Sequence, residues 1–214
     1  MLLMLDDLYT KAPWDQLDAV VFDVGNVLVR FSPEQVLTEL FSGQDALQAR
    51  LMGRVFKTPY WIMLDHGIIT YDEALEAMTG RESDLRPSIR LILQNWQDLK
   101  HTIPEGVETL RAVKAHGKKA YVLSNYHTDA FAYIEKKYDF FSLFDGKVIS
   151  ARVGLLKPDP AIFRRLTECY GLQPTRSLFI DDTPVNVEAA MTLGWQGICY
   201  NEPGKLSRFF GTDA

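Results

Sequence analysis

The sequence predicts an α/β protein, a doubly wound parallel sheet that carries an inserted block of helices. Two observations predict the sheet. Short, unbroken apolar runs recur along the 214 residues, as strands buried on both faces require. Amphipathic helical patterns separate these runs. A third observation predicts the insertion: from about residue 32 to 99, helical patterns follow one another with no convincing strand between them.

The first strand, Ala19-Val-Val-Phe22, ends in Asp23. Within the insertion, Ser32-Pro33-Glu34-Gln35 reads as a capping box with proline at the first helical position. Thr70-Tyr71-Asp72-Glu73 reads as another. Further helical patterns cover 45–56 and 87–99. The expected division is a core of residues 1–31 and 100–214 and a helical unit of residues 32–99. The core resumes with an amphipathic helix from Pro104 to His116, stopped by Gly117. Tyr121-Val-Leu123 is the second strand and leads into Ser124-Asn125. Tyr126-His127 opens the helix that follows. Val148-Ile149 is a weaker third strand. Lys157-Pro158 stands alone in a loop, and Asp159-Pro160 begins a helix that runs to about Tyr170 before Gly171. Ser177-Leu-Phe-Ile180 is the fourth strand and ends in Asp181-Asp182. Thr183-Pro184 starts a helix closing at Gly194, and Gly197-Ile-Cys-Tyr200 is the fifth strand. Lys205 to Phe210 is apolar enough to pack on the core or to meet a partner.

With 47% hydrophobic and 24% charged residues the chain has the composition of an ordinary soluble protein. A formal net charge of -5 argues against a nucleic-acid groove, whose footprint is strongly basic. Cys169 and Cys199 fit no metal or redox spacing and read as core filler. The apolar run Met1 to Leu5 lacks a basic flank and meets Asp6 and Asp7 at once. It is not expected to be a signal peptide, no stretch has the length of a membrane span, and a cytoplasmic location is expected.

In an open parallel sheet, ligands bind beyond the carboxyl ends of the strands, where strand order reverses. Asp23, Ser124, Asp181 and Asp182 each lie at such an end, so the fold gathers them on one rim. Two adjacent carboxylates repel unless a cation sits between them. Gly25 frees the Val24-Gly25-Asn26 loop to turn backbone groups towards an anion. Each residue also has a plainer explanation. Asp23 can cap a turn, Ser124-Asn125 is an ordinary loop dipeptide, and a lone lysine is usually solvated. Their order along the chain favours chemistry.

Four segments in that order carry a resemblance. Phe22-Asp23-Val24-Gly25-Asn26-Val27-Leu28, Val122-Leu123-Ser124-Asn125, Gly154-Leu155-Leu156-Lys157-Pro158 and Phe179-Ile180-Asp181-Asp182-Thr183-Pro184 resemble the motifs of the haloacid dehalogenase-like hydrolase superfamily. The similarity spans roughly Ala19 to Tyr200. It implies a Rossmann-like core with a helical C1-type cap. It implies that Asp23 attacks phosphorus and forms an aspartyl-phosphate. It implies Mg2+ held by Asp23, the Gly25 carbonyl and Asp182, with Asp181 orienting a coordinated water or completing the shell. Ser124 and Lys157 would serve the transferring phosphoryl group, assisted by Asn125. Tyr126 and His66 are further substrate-binding candidates at the rim, and His127 can touch a leaving group or cap a turn. A small phosphorylated metabolite is the expected substrate, a sugar phosphate being favoured, for a monomer or homodimer.

The chain departs from the family pattern at Gly25, where most of its phosphatases carry a second aspartate as general acid and base. Three readings follow. The protein is a phosphatase whose leaving group needs little help or whose acid comes from the cap, with Asp65 and His66 as candidates. Alternatively it is a 2-haloacid dehalogenase, which needs no metal and which Gly25 and Asp181-Asp182 oppose. The third reading is a non-catalytic phosphometabolite binder. In the cap, Tyr60 and Trp61 can stack on a substrate ring or pack between helices. Arg54, Lys57 and Arg90 can contact an acidic group or stay solvated. Asn186 is expected to brace the loop of the acidic pair, and Trp14, Trp96 and Trp195 to be structural.

Overall fold

The computed structural model describes residues 11–212; the apolar run at Met1 to Leu5 lies outside them. Strands β1 (Ala19–Phe22), β2 (Lys119–Ser124), β3 (Gly146–Ile149), β4 (Ser177–Asp181) and β5 (Gln196–Cys199) form one sheet. Its order is β3-β2-β1-β4-β5, and every pairing is parallel. Chain order runs outward from β1 through β2 to β3, then crosses back to β4 on the other side. The reversal therefore falls at β1, the strand that ends in Asp23.

Between β1 and β2 lie α1 (Pro33–Leu40), α2 (Asp45–Leu51), a π-helical turn (Met52–Phe56), α3 (Pro59–His66), α4 (Tyr71–Thr79) and α5 (Arg86–Asn95). The helical pattern expected over 45–56 thus divides between Leu51 and Met52 into two helix types. Among the described residues, five more α-helices precede the last strand: α6 (Pro104–Ala115), α7 (Thr128–Lys137), α8 (Ser150–Val153), α9 (Pro160–Tyr170) and α10 (Pro184–Thr192). A sixth, α11 (Lys205–Phe210), follows the last strand. No helix among the described residues is long and apolar enough to cross a membrane.

Strand side chains alternate between two buried faces. Val20, Phe22, Val122, Leu178 and Ile180 join one cluster with α6, α7 and α11. Ala19, Val21, Leu123 and Phe179 join the other with α9 and α10. The inserted helices add Leu37, Val55, Leu75, Met78, Ile89 and Trp96 to the first cluster, so their apolar side is continuous with the sheet's own core. At the C-terminal end Leu206, Phe209 and Phe210 are buried, which is the packing open to that segment from its composition.

Local signals hold with two corrections. Thr70 and Glu73 form the full reciprocal capping box. Ser32 Oγ accepts from the Gln35 N–H at 3.2 Å, but the Gln35 side chain turns to Glu39 at 2.6 Å, so only half of that box forms. Cys199 is buried as expected, whereas Cys169 is exposed. It sits at the margin of the stripe Ile162, Phe163 and Leu166 that α9 buries.

Candidate active site

Strand register sets the site. Phe22 pairs with Val122 on one side and Ile180 on the other. The next residues, Asp23 and Asp181, come out side by side, and Ser124 one step further along β2. The Asp23 N–H donates to the Ile180 carbonyl at 2.9 Å, which fixes the end of β1 against β4.

Lys157 reaches this rim from the loop before α9. Its Nζ lies 2.8 Å from Asp23 Oδ1 and 2.6 Å from Asp181 Oδ2, and it is only 4% exposed. Asn125 docks the loop with both ends of its amide. Its Oδ1 accepts from the Lys157 N–H at 2.8 Å, and its Nδ2 donates to the Lys157 carbonyl at 2.9 Å. Asn125 therefore acts on the lysine's backbone here. Burial opposes the lysine's charge, but the carboxylates of Asp181 and Asp23 outweigh it and hold its proton more firmly than usual.

Asp181 is fully buried and richly bonded. Besides Lys157, it accepts from the Thr183 N–H at 2.8 Å and from Asn186 Nδ2 at 3.1 and 3.2 Å. Asn186 thus braces the loop, as expected. With its oxygens engaged, Asp181 anchors the lysine and the start of α10. Asp182 faces the other way. It accepts from Asn26 Nδ2 at 3.1 Å and from the Thr183 hydroxyl at 3.2 Å.

Asn26 was not singled out from the sequence as a positioning residue. It adopts a left-handed φ of 53°, a conformation that Asn tolerates better than most residues. From there its N–H donates to the Val29 carbonyl at 2.8 Å and its Oδ1 accepts from the Phe31 N–H at 3.0 Å. The same side chain so closes the loop after β1 and steers Asp182. The signal was present: an Asn following Gly at a strand end.

Asp23, Asp181 and Asp182 each offer an oxygen within 4.8 Å of the others. Burial, partly offset by Lys157 and reinforced by Asp181 and Asp182, pushes Asp23 up to about 6. Asp182 is also raised, by burial and by the Asp181 charge against the Asn26 hydrogen bond. An oxygen-only donor set with surplus negative charge suits a hard divalent cation such as Mg2+, which would reverse both shifts. Ser124 Oγ is fully buried and without a hydrogen-bond partner among the described residues. Leaving a hydroxyl so costs about 1–3 kcal/mol, so it is suited to an incoming phosphoryl oxygen.

The remaining candidates take other places. His66 Nε2 meets the Gly154 carbonyl at 3.0 Å, touching the loop that leads to Lys157. Tyr126 is buried against Trp96 and Phe131. His127 is also buried; its Nε2 lies 3.1 Å from Asp65 Oδ1 and its Nδ1 3.2 Å from the Tyr71 hydroxyl. Asp65 therefore serves this contact between α3 and α7. Trp61 packs among Phe31, Phe56, Trp96 and His127, as the packing alternative expects. Arg54 is spent on the carbonyls of Met78 and Thr79 and on Glu82.

A family model described as hydrolase, haloacid dehalogenase-like hydrolase, matches residues 17–194. The chain belongs to this family. Sesquiterpene phosphatase astK from Aspergillus oryzae is 25% identical over 182 residues, covering 84% of this chain and 88% of that protein. Flavin mononucleotide hydrolase 1 from Arabidopsis thaliana is 24% identical over 196 residues, covering 90% and 76%. Other relatives are longer: this chain spans 37% of drimenol cyclase drtB from Aspergillus calidoustus, at 24% identity over 92% of the chain. It spans 18% of mouse acyl-CoA dehydrogenase family member 10. Among solved structures, a HAD family enzyme from Bacteroides thetaiotaomicron, in complex with magnesium and inorganic phosphate, superposes with a TM-score of 0.69. Identity is 19%, over 89% of this chain and 98% of that one. L-2-haloacid dehalogenase from Xanthobacter autotrophicus gives a TM-score of 0.64 at 18% identity, over 90% and 81%. These superpositions establish the fold.

Proposed function

We propose that this hydrolase is a Mg2+-dependent phosphatase of a small phosphorylated metabolite, acting through an aspartyl-phosphate on Asp23. The observation that carries the reading is the convergence of Lys157 Nζ, 2.8 Å from Asp23, with the carboxylate of Asp182 and the unpartnered Ser124 hydroxyl. In this reading an Asp23 oxygen attacks phosphorus in line with the leaving oxygen. Lys157 and Ser124 hold the phosphoryl oxygens as charge redistributes, and water then hydrolyses the acyl phosphate. Held by Asp23, Asp182 and the Gly25 carbonyl, while Asp181 keeps Lys157 in place, Mg2+ would supply the positive charge that lets a carboxylate approach a phosphate dianion. Residues 32–99 form the cap over this rim and decide the substrate.

The names of the phosphatase and flavin mononucleotide hydrolase relatives support phosphoester hydrolysis, and a sugar phosphate remains the favoured substrate class. The acidic pair weighs against dehalogenation, which has no use for cation-binding carboxylates. A cytoplasmic location belongs to the same reading. A screen of sugar phosphates, nucleotides and acyl phosphates, with Mg2+ and with EDTA, tests the reading. Phosphate release that EDTA stops supports it. Metal-independent halide release from a 2-haloacid, or binding without turnover, overturns it.

A further inference from the structure

A cavity of about 380 Å³ opens onto the rim, between the loop after β1 and the segment after β5. That volume lies within the roughly 300–1,000 Å³ usual for ligand pockets. Its walls include Asn26 and Asp182 from the site, and Arg30, Tyr200 and Glu202 from outside it. The backbone holds Arg30 in place on both sides. Its own N–H donates to the His101 carbonyl at 2.8 Å, and the next N–H, of Phe31, donates to Asn26 Oδ1 at 3.0 Å. The amide that steers Asp182 thus also sets where Arg30 stands.

The Arg30 guanidinium makes no hydrogen bond or ion pair among the described residues. It lies close enough to Tyr200 for its charge to act on that phenol. The acids nearby are engaged elsewhere. Glu105 accepts from the Tyr200 hydroxyl at 2.7 Å and from the N–H groups of Gly204 and Ser207, both at 2.9 Å. Glu202 pairs with Arg208 at 2.5 Å. Asp182 is the carboxylate assigned above to the cation. Arg30 is therefore left to face what enters the cavity, and its planar fork matches the oxygens of a phosphate.

Gly25 narrows the choice. An alcohol leaves phosphorus as a strong base unless a side chain protonates it, and Gly25 has none to offer. A phosphate group leaves as a stable anion and needs no proton. We propose that the substrate is an organic diphosphate, whose inner phosphate is the leaving group and is gripped by Arg30 in this cavity. This rests on the phosphatase reading above. Asp23 Oδ bonds to the terminal phosphorus as the bond from that phosphorus to the bridging oxygen breaks. The electron pair stays with the bridging oxygen, and the organic monophosphate departs as a dianion. Water then attacks the phosphorus of the aspartyl-phosphate, both its hydrogens end on inorganic phosphate, and Asp23 returns as a carboxylate. Arg30 determines specificity from one phosphate away.

The test compares kcat/KM, with Mg2+, for methyl diphosphate, methyl phosphate and p-nitrophenyl phosphate, in wild type and Arg30→Met. Wild type is expected to favour methyl diphosphate over methyl phosphate by about 10²-fold or more. Arg30→Met is expected to lose about 10–100-fold on methyl diphosphate, as removal of charged hydrogen bonds does, and less than about threefold on p-nitrophenyl phosphate. Methylenebisphosphonate, which cannot be cleaved, should bind the variant about 10–100-fold more weakly by calorimetry, and circular dichroism checks the fold. No preference for the diphosphate, equal losses on both substrates in a folded variant, or undiminished bisphosphonate binding each overturn the proposal. Phosphate release by wild type from p-nitrophenyl phosphate but not from methyl diphosphate overturns it and leaves the phosphatase reading standing. Release from none of the three overturns that reading as well.

Discussion

Replacing Lys157 by methionine removes the one side chain that neutralises two buried carboxylates at once. Its Nζ meets Asp23 at 2.8 Å and Asp181 at 2.6 Å, and Asp181 is wholly shielded from water. Breaking a buried pair by deleting one partner leaves an uncompensated charge and costs about 3–5 kcal/mol. That is a large share of the roughly 5–15 kcal/mol that holds a typical domain together. The loss depends on pH in a definite direction. Asp23 already sits at about 6 with the lysine in place, and without it the carboxyl rises further. A carboxyl raised above its unfolded value costs nothing below that value, and destabilises progressively as pH climbs from there to the folded one. The variant should therefore be close to wild type near pH 4 and lose about 3–5 kcal/mol above pH 7. Urea unfolding followed by tryptophan fluorescence, in metal-free buffer across that range, measures it. A loss below about 1 kcal/mol at neutral pH, or one independent of pH, would refute the reasoning.

On the opposite side of the sheet, Asp145 is held down to about 2. Partial burial works against its charge, but hydrogen bonds from Lys114, Lys119 and the Ala120 N–H outweigh that. A lowered carboxyl stabilises above its unfolded value and loses that contribution as pH falls through the folded one. Asp145→Asn should thus lose about 1–2 kcal/mol at neutral pH and almost nothing near pH 2, read by the same unfolding experiment. Gly106→Ala should cost about 1–3 kcal/mol in thermal unfolding, because a Cβ there would stand 1.9 Å from the Val27 carbonyl. Asn125→Ala frees the loop that carries Lys157 and should lower kcat by about 10–100-fold with the fold intact, as loss of a positioning partner does. At Gly25 a Cβ meets nothing within 4 Å. Gly25→Asp should therefore fold and, by supplying a side-chain acid beside Asp23, should speed phosphate release from simple alkyl phosphates by about 10²–10⁴-fold; an unchanged or lower rate would refute this.

Much of the rim was legible because parallel strands carry register in their lengths. Asp23, Ser124 and Asp181 each end an apolar run, and pairing of Phe22 with Val122 and Ile180 brings those ends level. What joins loop to loop was not legible. The grip of Asn125 on the Lys157 backbone depends on how two irregular segments meet, which no periodicity encodes. Lys100 reads in sequence as one more solvated cation near the end of a helical pattern, and only the fold closes Phe31, Trp96 and Tyr126 around it. Asp65 and His66 were chosen as a pair, yet adjacent residues on a helix diverge by about 100°. One reaches His127 and the other the Gly154 carbonyl. Cys169 shows the same limit, since a helical stripe has margins that spacing alone does not draw.

The central claim is that Asp23 becomes phosphorylated, and trapping that state tests it most directly. Enzyme mixed with Mg2+ and a turned-over phosphate ester is quenched in acid, digested and mapped by mass spectrometry. The account predicts a phosphoryl group on the peptide containing Asp23, absent with EDTA and absent in Asp23→Asn. Undiminished turnover by Asp23→Asn, or a phosphoryl group carried by any other side chain, would contradict it.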